Sequence, residues 1–162
     1  ACESQVQRAL TCDSWDELKV VIADNIRWIR DNKVKIPDGH YKSSLCEFTI
    51  VNGVRHGEYK EYYQNGRVKV QEHYKNGLLD GEWKVYYENG ELMVHCTYKD
   101  GELHGERKVW NSSGQLMVHC TYKNGVLHGE KKVWNPDGFL VIHEHYENNK
   151  IVKPLFKLFN LI

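Results

Sequence analysis

The amino-acid sequence predicts a mainly β fold: a single-layer, twisted antiparallel meander of 24-residue β-hairpin units, with an N-terminal α-helical cap and a short C-terminal apolar cap. Three observations carry this reading. Twelve of the 13 glycines fall into three series, each stepping by 24 residues: Gly53, Gly77, Gly101, Gly125; Gly57, Gly81, Gly105, Gly129; and Gly66, Gly90, Gly114, Gly138. Other residues keep the same beat, among them Glu58, Glu82, Glu106 and Glu130, then Lys60, Lys84, Lys108 and Lys132, then Tyr62, Tyr86, Trp110 and Trp134, and last Tyr74, Tyr98, Tyr122 and Tyr146. Asn-Gly pairs recur between runs of alternating polarity, which is a strong hairpin signal. A fixed period of this length marks a repeat architecture, in which each unit buries its surface only by stacking on its neighbours. The chain divides into a helical cap over 1–37, a repeat sheet over 38–148 (a degenerate half-unit at 38–52, then four units over 53–148) and an end segment over 149–162.

In chain order, the first element is a helix from about Trp15 to Arg30. Ser14 is placed to cap it, Glu17 completes a capping box, and Asp16 adds negative charge to the first turn. Trp15, Leu18, Ile22, Ile26 and Ile29 form an apolar stripe at helical spacing, widened by Val20, Val21 and Trp28. An open repeat array needs its ends covered, so the helix reads first as an edge cap and second as a partner-binding element. The half-unit follows, with Phe48 and Ile50 facing inward.

Each full unit reads as two strands. A type I′ turn needs φ > 0 at both central residues, which Asn-Gly supplies with little strain. Taking Asn65-Gly66 as such a turn pairs Tyr63 with Val68, Glu61 with Val70, Tyr59 with Glu72 and Gly57 with Tyr74. Taking Asn76-Gly77 likewise pairs Tyr74 with Leu79, Glu72 with Gly81 and Val70 with Trp83. Both registers put the same residues on one face, and a one-residue slip in either would break the agreement. One face then carries Gly81, Trp83, Val85 and Tyr87 with Leu92, Val94, Cys96 and Tyr98. The other carries Glu82, Lys84 and Tyr86 with Met93, His95 and Thr97. The rings of Tyr74, Tyr98, Tyr122 and Tyr146 are placed to cover the bare patches left by Gly57, Gly81, Gly105 and Gly129. Gly66, Gly90, Gly114 and Gly138 punctuate the turns.

The last element is the tail. Lys150, Lys153 and Lys157 give it positive charge, and Leu155, Phe156, Leu158, Phe159, Leu161 and Ile162 give it apolar surface. Those six apolar residues are the candidate end cap or dimer contact. An exposed last strand invites edge pairing, and a two-fold dimer is the commonest closed solution. Basic-plus-apolar composition also suits a membrane surface, but so short a segment holds lipid weakly. The zero net charge, 22 basic against 22 acidic residues, resolves into balance over 1–36, an excess of three acidic residues over 37–148 and three basic residues in the tail.

The run Asn76-Gly77-Leu78-Leu79-Asp80-Gly81-Glu82-Trp83-Lys84-Val85-Tyr86-Tyr87-Glu88-Asn89-Gly90 resembles the MORN repeat (membrane occupation and recognition nexus), in the variant also seen in bacterial antitoxin-like repeat proteins. Asp100-Gly101-Glu102-Leu103-His104-Gly105-Glu106 continues the pattern. The segment Val94-His95-Cys96-Thr97-Tyr98-Lys99 before it is similar to units of marseillevirus-type giant viruses. The resemblance covers roughly residues 38–148 and stops at Asn149, where a glycine would open a fifth unit. Asn111-Ser112-Ser113-Gly114 and Asn135-Pro136-Asp137-Gly138 lack the second aromatic present as Tyr63 and Tyr87, which predicts looser ends there. The resemblance implies an elongated sheet used for protein contacts and self-association. It also implies phosphoinositide binding, and no catalysis by the repeats.

Several function classes are disfavoured by the residues themselves. There is no Gly-x-Ser-x-Gly, no phosphate loop and no His-Glu-x-x-His, so no enzyme and no cofactor are expected. His95, His119 and His143 share a phase, but equivalent residues stand two strands apart, about 9.6 Å, too far for a shared metal ion. The same spacing carries Cys96 and Cys120 past the ~7 Å limit for a disulfide, and they read as small buried apolar residues. A balanced net charge and an acidic repeat segment oppose nucleic acid. Ala1-Cys2-Glu3-Ser4-Gln5 has no signal-peptide character, no run reaches a membrane span, and an odd count of five Cys suits reduced thiols in the cytoplasm, the host's cytosol if the protein is viral. The expectation is a non-enzymatic scaffold for protein–protein interaction, self-associating as a homodimer, with Tyr62, Tyr86, Trp110, Trp134, Met93 and Met117 as its contact row. The alternatives are a membrane-surface adaptor for anionic phospholipid headgroups and an antitoxin-like inhibitor of a partner protein.

Overall fold

The computed structural model describes Lys19, Ala23 and residues 36–157, with backbone alone over 153–157. The chain divides into two compact units, Ala1–Leu78 and Leu79–Ile162. Each is an antiparallel β meander, so the expected fold class holds in both. Among the described residues no helix is long and apolar enough to cross a membrane.

The first unit orders its strands β1 (Gly39–Lys42), β2 (Cys46–Val51), β4 (Gly57–Tyr62) and β5 (Val68–Lys75), and the short β3 (Val54–Arg55) pairs with β2. Strand alternation is clearest in β2, where Cys46, Phe48 and Ile50 are buried and the residues between them are not. Tyr41 pairs directly with Phe48, and their rings stack at 5.1 Å. Tyr59 and Tyr74 extend the cluster, edge-on to each other at 6.5 Å. The Arg55 guanidinium lies 4.5 Å from the Tyr59 ring centre and 5.3 Å from that of Tyr74, and it donates to the Tyr74 hydroxyl at 3.1 Å. Ala23, 1% exposed, closes this core, and its carbonyl accepts from the Cys46 thiol at 3.0 Å. Lys19 and Ala23 are helical, as expected there; the remainder of the expected cap helix lies outside the described residues. Phe48 and Ile50 face inward, also as expected.

Two kinds of turn recur along the repeats. At Asn76-Gly77 both residues have positive φ, 51° and 81°, and the same holds at Asn52-Gly53, Asp100-Gly101 and Asn124-Gly125. These are the type I′ turns expected of Asn-Gly. Each turn is tied to the one before it. The N–H of Gly77 donates to the Arg55 carbonyl at 2.8 Å, that of Gly101 to Leu79 at 2.8 Å and that of Gly125 to Leu103 at 2.9 Å. The first turn has no predecessor, and there the Asp38 carboxylate accepts from the N–H groups of Asn52 and Gly53 at 2.8 and 2.9 Å.

The expected stop at Asn149 is corrected. Asn148 and Asn149 take φ of 50° and 64°, and the Asn149 N–H donates to Leu127 at 3.0 Å. Asparagine tolerates the left-handed region well enough to replace glycine. The hairpin forms, and β12 (Lys150–Lys157) pairs with β11 (Leu140–Glu147).

Asn65-Gly66 and Asn89-Gly90 are corrected as well. Only the glycines have positive φ there, 81° and 94°. The Gly66 N–H donates to the Tyr63 carbonyl at 2.9 Å, and the Tyr63 N–H to the Arg67 carbonyl at 2.8 Å. This is a three-residue loop, a type I turn followed by a left-handed glycine. The extra loop residue sets Tyr62 opposite Val68, and a bulge after Glu61 then restores the expected pairs Glu61–Val70, Tyr59–Glu72 and Gly57–Tyr74. Nor are the loops without the second aromatic loosely held. Asn111 Oδ1 accepts from the N–H groups of Ser113 and Gln115 at 3.1 and 3.0 Å and from the Ser113 hydroxyl at 2.7 Å. Asn135 Oδ1 accepts from the Phe139 N–H at 2.9 Å. The asparagine that replaces the aromatic supplies its own clamp.

In the second unit β6 (Leu78–Tyr86, beginning at the unit boundary), β7 (Leu92–Lys99), β8 (Glu102–Trp110), β9 (Leu116–Lys123), β10 (Val126–Trp134), β11 and β12 neighbour one another in sequence order. Tyr98 pairs with Leu103 and Tyr122 with Leu127, following the rule drawn for Tyr74 and Leu79. Further in, the same rule would pair Cys96 with Gly105 and Cys120 with Gly129. Cys96 instead faces Arg107, and Cys120 faces Lys131. The surplus residues bulge out at His104-Gly105 and His128-Gly129, where the glycines take φ of 91° and 109°. The slip is an even number of residues, so side chains keep the faces expected of them.

Candidate interaction surface

The polar face of the second unit consists of rows that run across the strands. Lys84, His95, Lys108, His119, Lys132 and His143 are successive direct partners on β6 to β11. Beside them Glu82, Glu106 and Glu130 each grip the lysine two residues on, at 2.5, 2.6 and 2.5 Å. The second carboxylate oxygen lies 3.3 Å from Nε2 of His95, 3.3 Å from that of His119 and 3.4 Å from that of His143. In the first unit Lys60 holds Glu58 at 2.5 Å, and the Gln71 amide donates to Glu58 in the histidine's place. The lysine hydrogen bond holds the Glu82, Glu106 and Glu130 carboxyls below the usual carboxylate range. At Glu58 burial works the other way, but Lys60 and Gln71 outweigh it and the carboxyl is again lowered. These pairs are solvent-screened and individually weak; their effect is to leave a locally neutral strip.

Next to this strip lies an apolar row. A one-residue bulge near each three-residue loop sets Tyr86 opposite Leu92, Trp110 opposite Leu116 and Trp134 opposite Leu140. Directly opposed residues share a face. Leu92, assigned to the other face on strict alternation, therefore belongs to the aromatic row, as do Leu116 and Leu140. One step beyond the pairs Val94–Val109 and Val118–Val133, Met93 falls beside Trp110 and Met117 beside Trp134. All of these are half-buried. In the first unit Tyr62 is half-buried too, and its hydroxyl donates to Glu47 at 3.0 Å. Burial and that bond push its pKa up to about 12.

The opposite face holds the most buried side chains of the second unit, Cys96, Cys120 and Glu144. Arg107 stands between the two cysteines as the direct partner of both. Burial pushes the Cys96 thiol up to about 11 despite that cation, which leaves it without nucleophilic character. In the corresponding position Glu144 accepts from the Tyr146 hydroxyl at 2.8 Å, and Glu72 from Tyr74 at 2.7 Å. Gly57, Gly81, Gly105 and Gly129 pair directly with Tyr74, Tyr98, Tyr122 and Tyr146. The sequence reading missed the residues on the glycines' other side. A Cβ at Gly129 would meet Thr121 Cβ at 3.2 Å, and the Thr97 hydroxyl donates to the His104 carbonyl.

The tail is described in part. Ile151 and Val152 are exposed, Leu155 and Phe156 lie in β12, and Leu158, Phe159, Leu161 and Ile162 lie outside the described residues. Among the described residues no three His, Cys, Asp or Glu side chains are grouped to hold a metal ion. The family model for the MORN repeat variant matches three consecutive segments, residues 55–76, 79–100 and 103–124. No curated protein matches the chain.

Proposed function

We propose, with three consecutive MORN-type repeats as the premise, that the chain is a non-enzymatic repeat scaffold that binds a protein partner and self-associates. The observation that supports this best is the half-buried row of Tyr86, Trp110 and Trp134 with Met93 and Met117, set beside a locally neutral strip. Aromatic and methionine side chains are enriched where proteins meet, while charge is depleted at the centre of such contacts. Affinity capture from the native host, comparing wild type with Trp110→Ala/Trp134→Ala, tests the face. A partner lost from a variant whose far-UV circular dichroism is unchanged supports it; a partner held equally by both removes this face from the proposal. Light scattering tests self-association, and a strict monomer at high concentration ends that part. The membrane reading predicts flotation with phosphoinositide liposomes at moderate salt; the scaffold reading predicts none, because the lysines of this face already have carboxylate partners.

A further inference from the structure

The apolar row has a pitch, and the pitch selects a partner. Resting on the scaffold reading above, we propose that Tyr86, Trp110 and Trp134 form a docking surface for a proline-rich segment in the polyproline II conformation, laid across the strands. The three rings occupy the last residue of β6, β8 and β10, so they recur on every second strand. At about 4.8 Å per strand the row repeats every ~9.6 Å. A polyproline II helix has three residues per turn and returns the same side to a surface every ~9.3 Å. The mismatch is about 0.3 Å per ring and stays under ~1 Å across all three. Other regular conformations fit less well. An extended strand presents one face every ~6.7 or ~13 Å. An α-helix returns every ~5.4 Å by turn or ~10.5 Å by heptad, and the latter drifts by nearly ~2 Å over the row.

Two further observations favour this occupant. Polyproline II has no internal hydrogen bonds, so its carbonyls need donors. Among the described residues the indole N–H groups of Trp110 and Trp134 have no acceptor. The charge of the face also matches. Lys84, Lys108 and Lys132 are each held by a glutamate at 2.5–2.6 Å, which suits an uncharged ligand over a polyanion. Leu92, Leu116 and Leu140, each opposite a ring, supply apolar surface between successive aromatics. A preformed polyproline helix also loses little conformational entropy on docking.

Titration calorimetry of the full chain with dodecaproline tests the proposal, with hexaproline and a (Gly-Ser)6 peptide as comparisons. Saturable binding of dodecaproline is expected, weaker for hexaproline, whose ~18.6 Å falls just short of the ~19.2 Å from the first ring to the third, and absent for (Gly-Ser)6. Trp110→Ala and Trp134→Ala should each weaken it about tenfold. Trp110→Phe, which keeps a ring but removes the donor, should fall between, and Trp83→Phe on the opposite face should bind as wild type. No binding of dodecaproline, equal binding of (Gly-Ser)6, or undiminished binding by Trp110→Ala would each overturn the assignment. A photo-crosslinker at position 117 separates this from the scaffold reading. Capture of a proline-poor helix or folded domain overturns the proline-rich partner and leaves the scaffold standing; capture of a proline-rich segment supports both.

Discussion

At Gly129 a backbone angle and a neighbour act together. Its φ of 109° lies where L side chains are strained, and an added Cβ would press on Thr121 at 3.2 Å. Gly129→Ala should therefore destabilise by about 1–3 kcal/mol, read as a lower denaturant midpoint at unchanged m-value. Thr121→Gly removes the contacting Cβ but leaves the angle, so the loss caused by Gly129→Ala should be only partly smaller in a Thr121→Gly background; its complete disappearance there would mean that the angle costs nothing. The carboxylates make a pH prediction. Glu82, Glu106 and Glu130 are lowered in the folded chain from an ordinary value of 4.5. A lowered carboxyl contributes stability above the unfolded value and loses it as pH falls through the folded one. Replacing Lys84, Lys108 and Lys132 with Met should reduce stability at pH 7 by no more than about 1 kcal/mol per exposed pair. That difference should shrink below pH 4.5 and vanish in stronger acid. A difference independent of pH would show that the lysine stems, not the charges, are responsible.

At the scale of the element, the loops carry the next prediction. Asn111 replaces an aromatic and accepts three hydrogen bonds within its own loop. Asn111→Ala should cost about 1–2 kcal/mol, and amide exchange should quicken at Ser113 and Gln115 while the amides of β10 stay protected. Uniform loss of protection would argue that the clamp is not local. The strands themselves were legible because burial imposes period two and glycines mark the turns from Asn52-Gly53 to Asp137-Gly138. What alternation alone hides is the number of residues a loop absorbs. Asn-Gly serves a two-residue turn at Asn76-Gly77 and a three-residue loop at Asn65-Gly66, and the dipeptide is the same in both. The one-residue bulge that follows the longer loop moved Leu92 into the aromatic row, where strict alternation had not put it. The aromatic row itself was legible from its phase, but its leucines were not. The bulge at His104-Gly105 went unseen for the opposite reason, since an even slip leaves the face pattern unchanged.

For the whole molecule, the 24-residue period makes length and damage separable. Leu103 and Leu127 are equivalent positions, each paired with the tyrosine five residues before it in the chain, Tyr98 and Tyr122. Deleting residues 103–126 joins one unit to the next in phase. Each junction is a nearest-neighbour contact of the same kind, so the shortened chain should fold, with a smaller m-value and a lower midpoint because one interface is gone. Deleting residues 103–125 removes less chain but leaves one residue out of phase. Beyond the junction every side chain must change face, or the strand must form a new bulge to restore it. The longer deletion should therefore be the more stable of the two by equilibrium denaturation. If instead stability simply tracks the number of residues removed, the phase of the repeat is not what organises the sheet, and the pitch of its aromatic row loses its meaning as well.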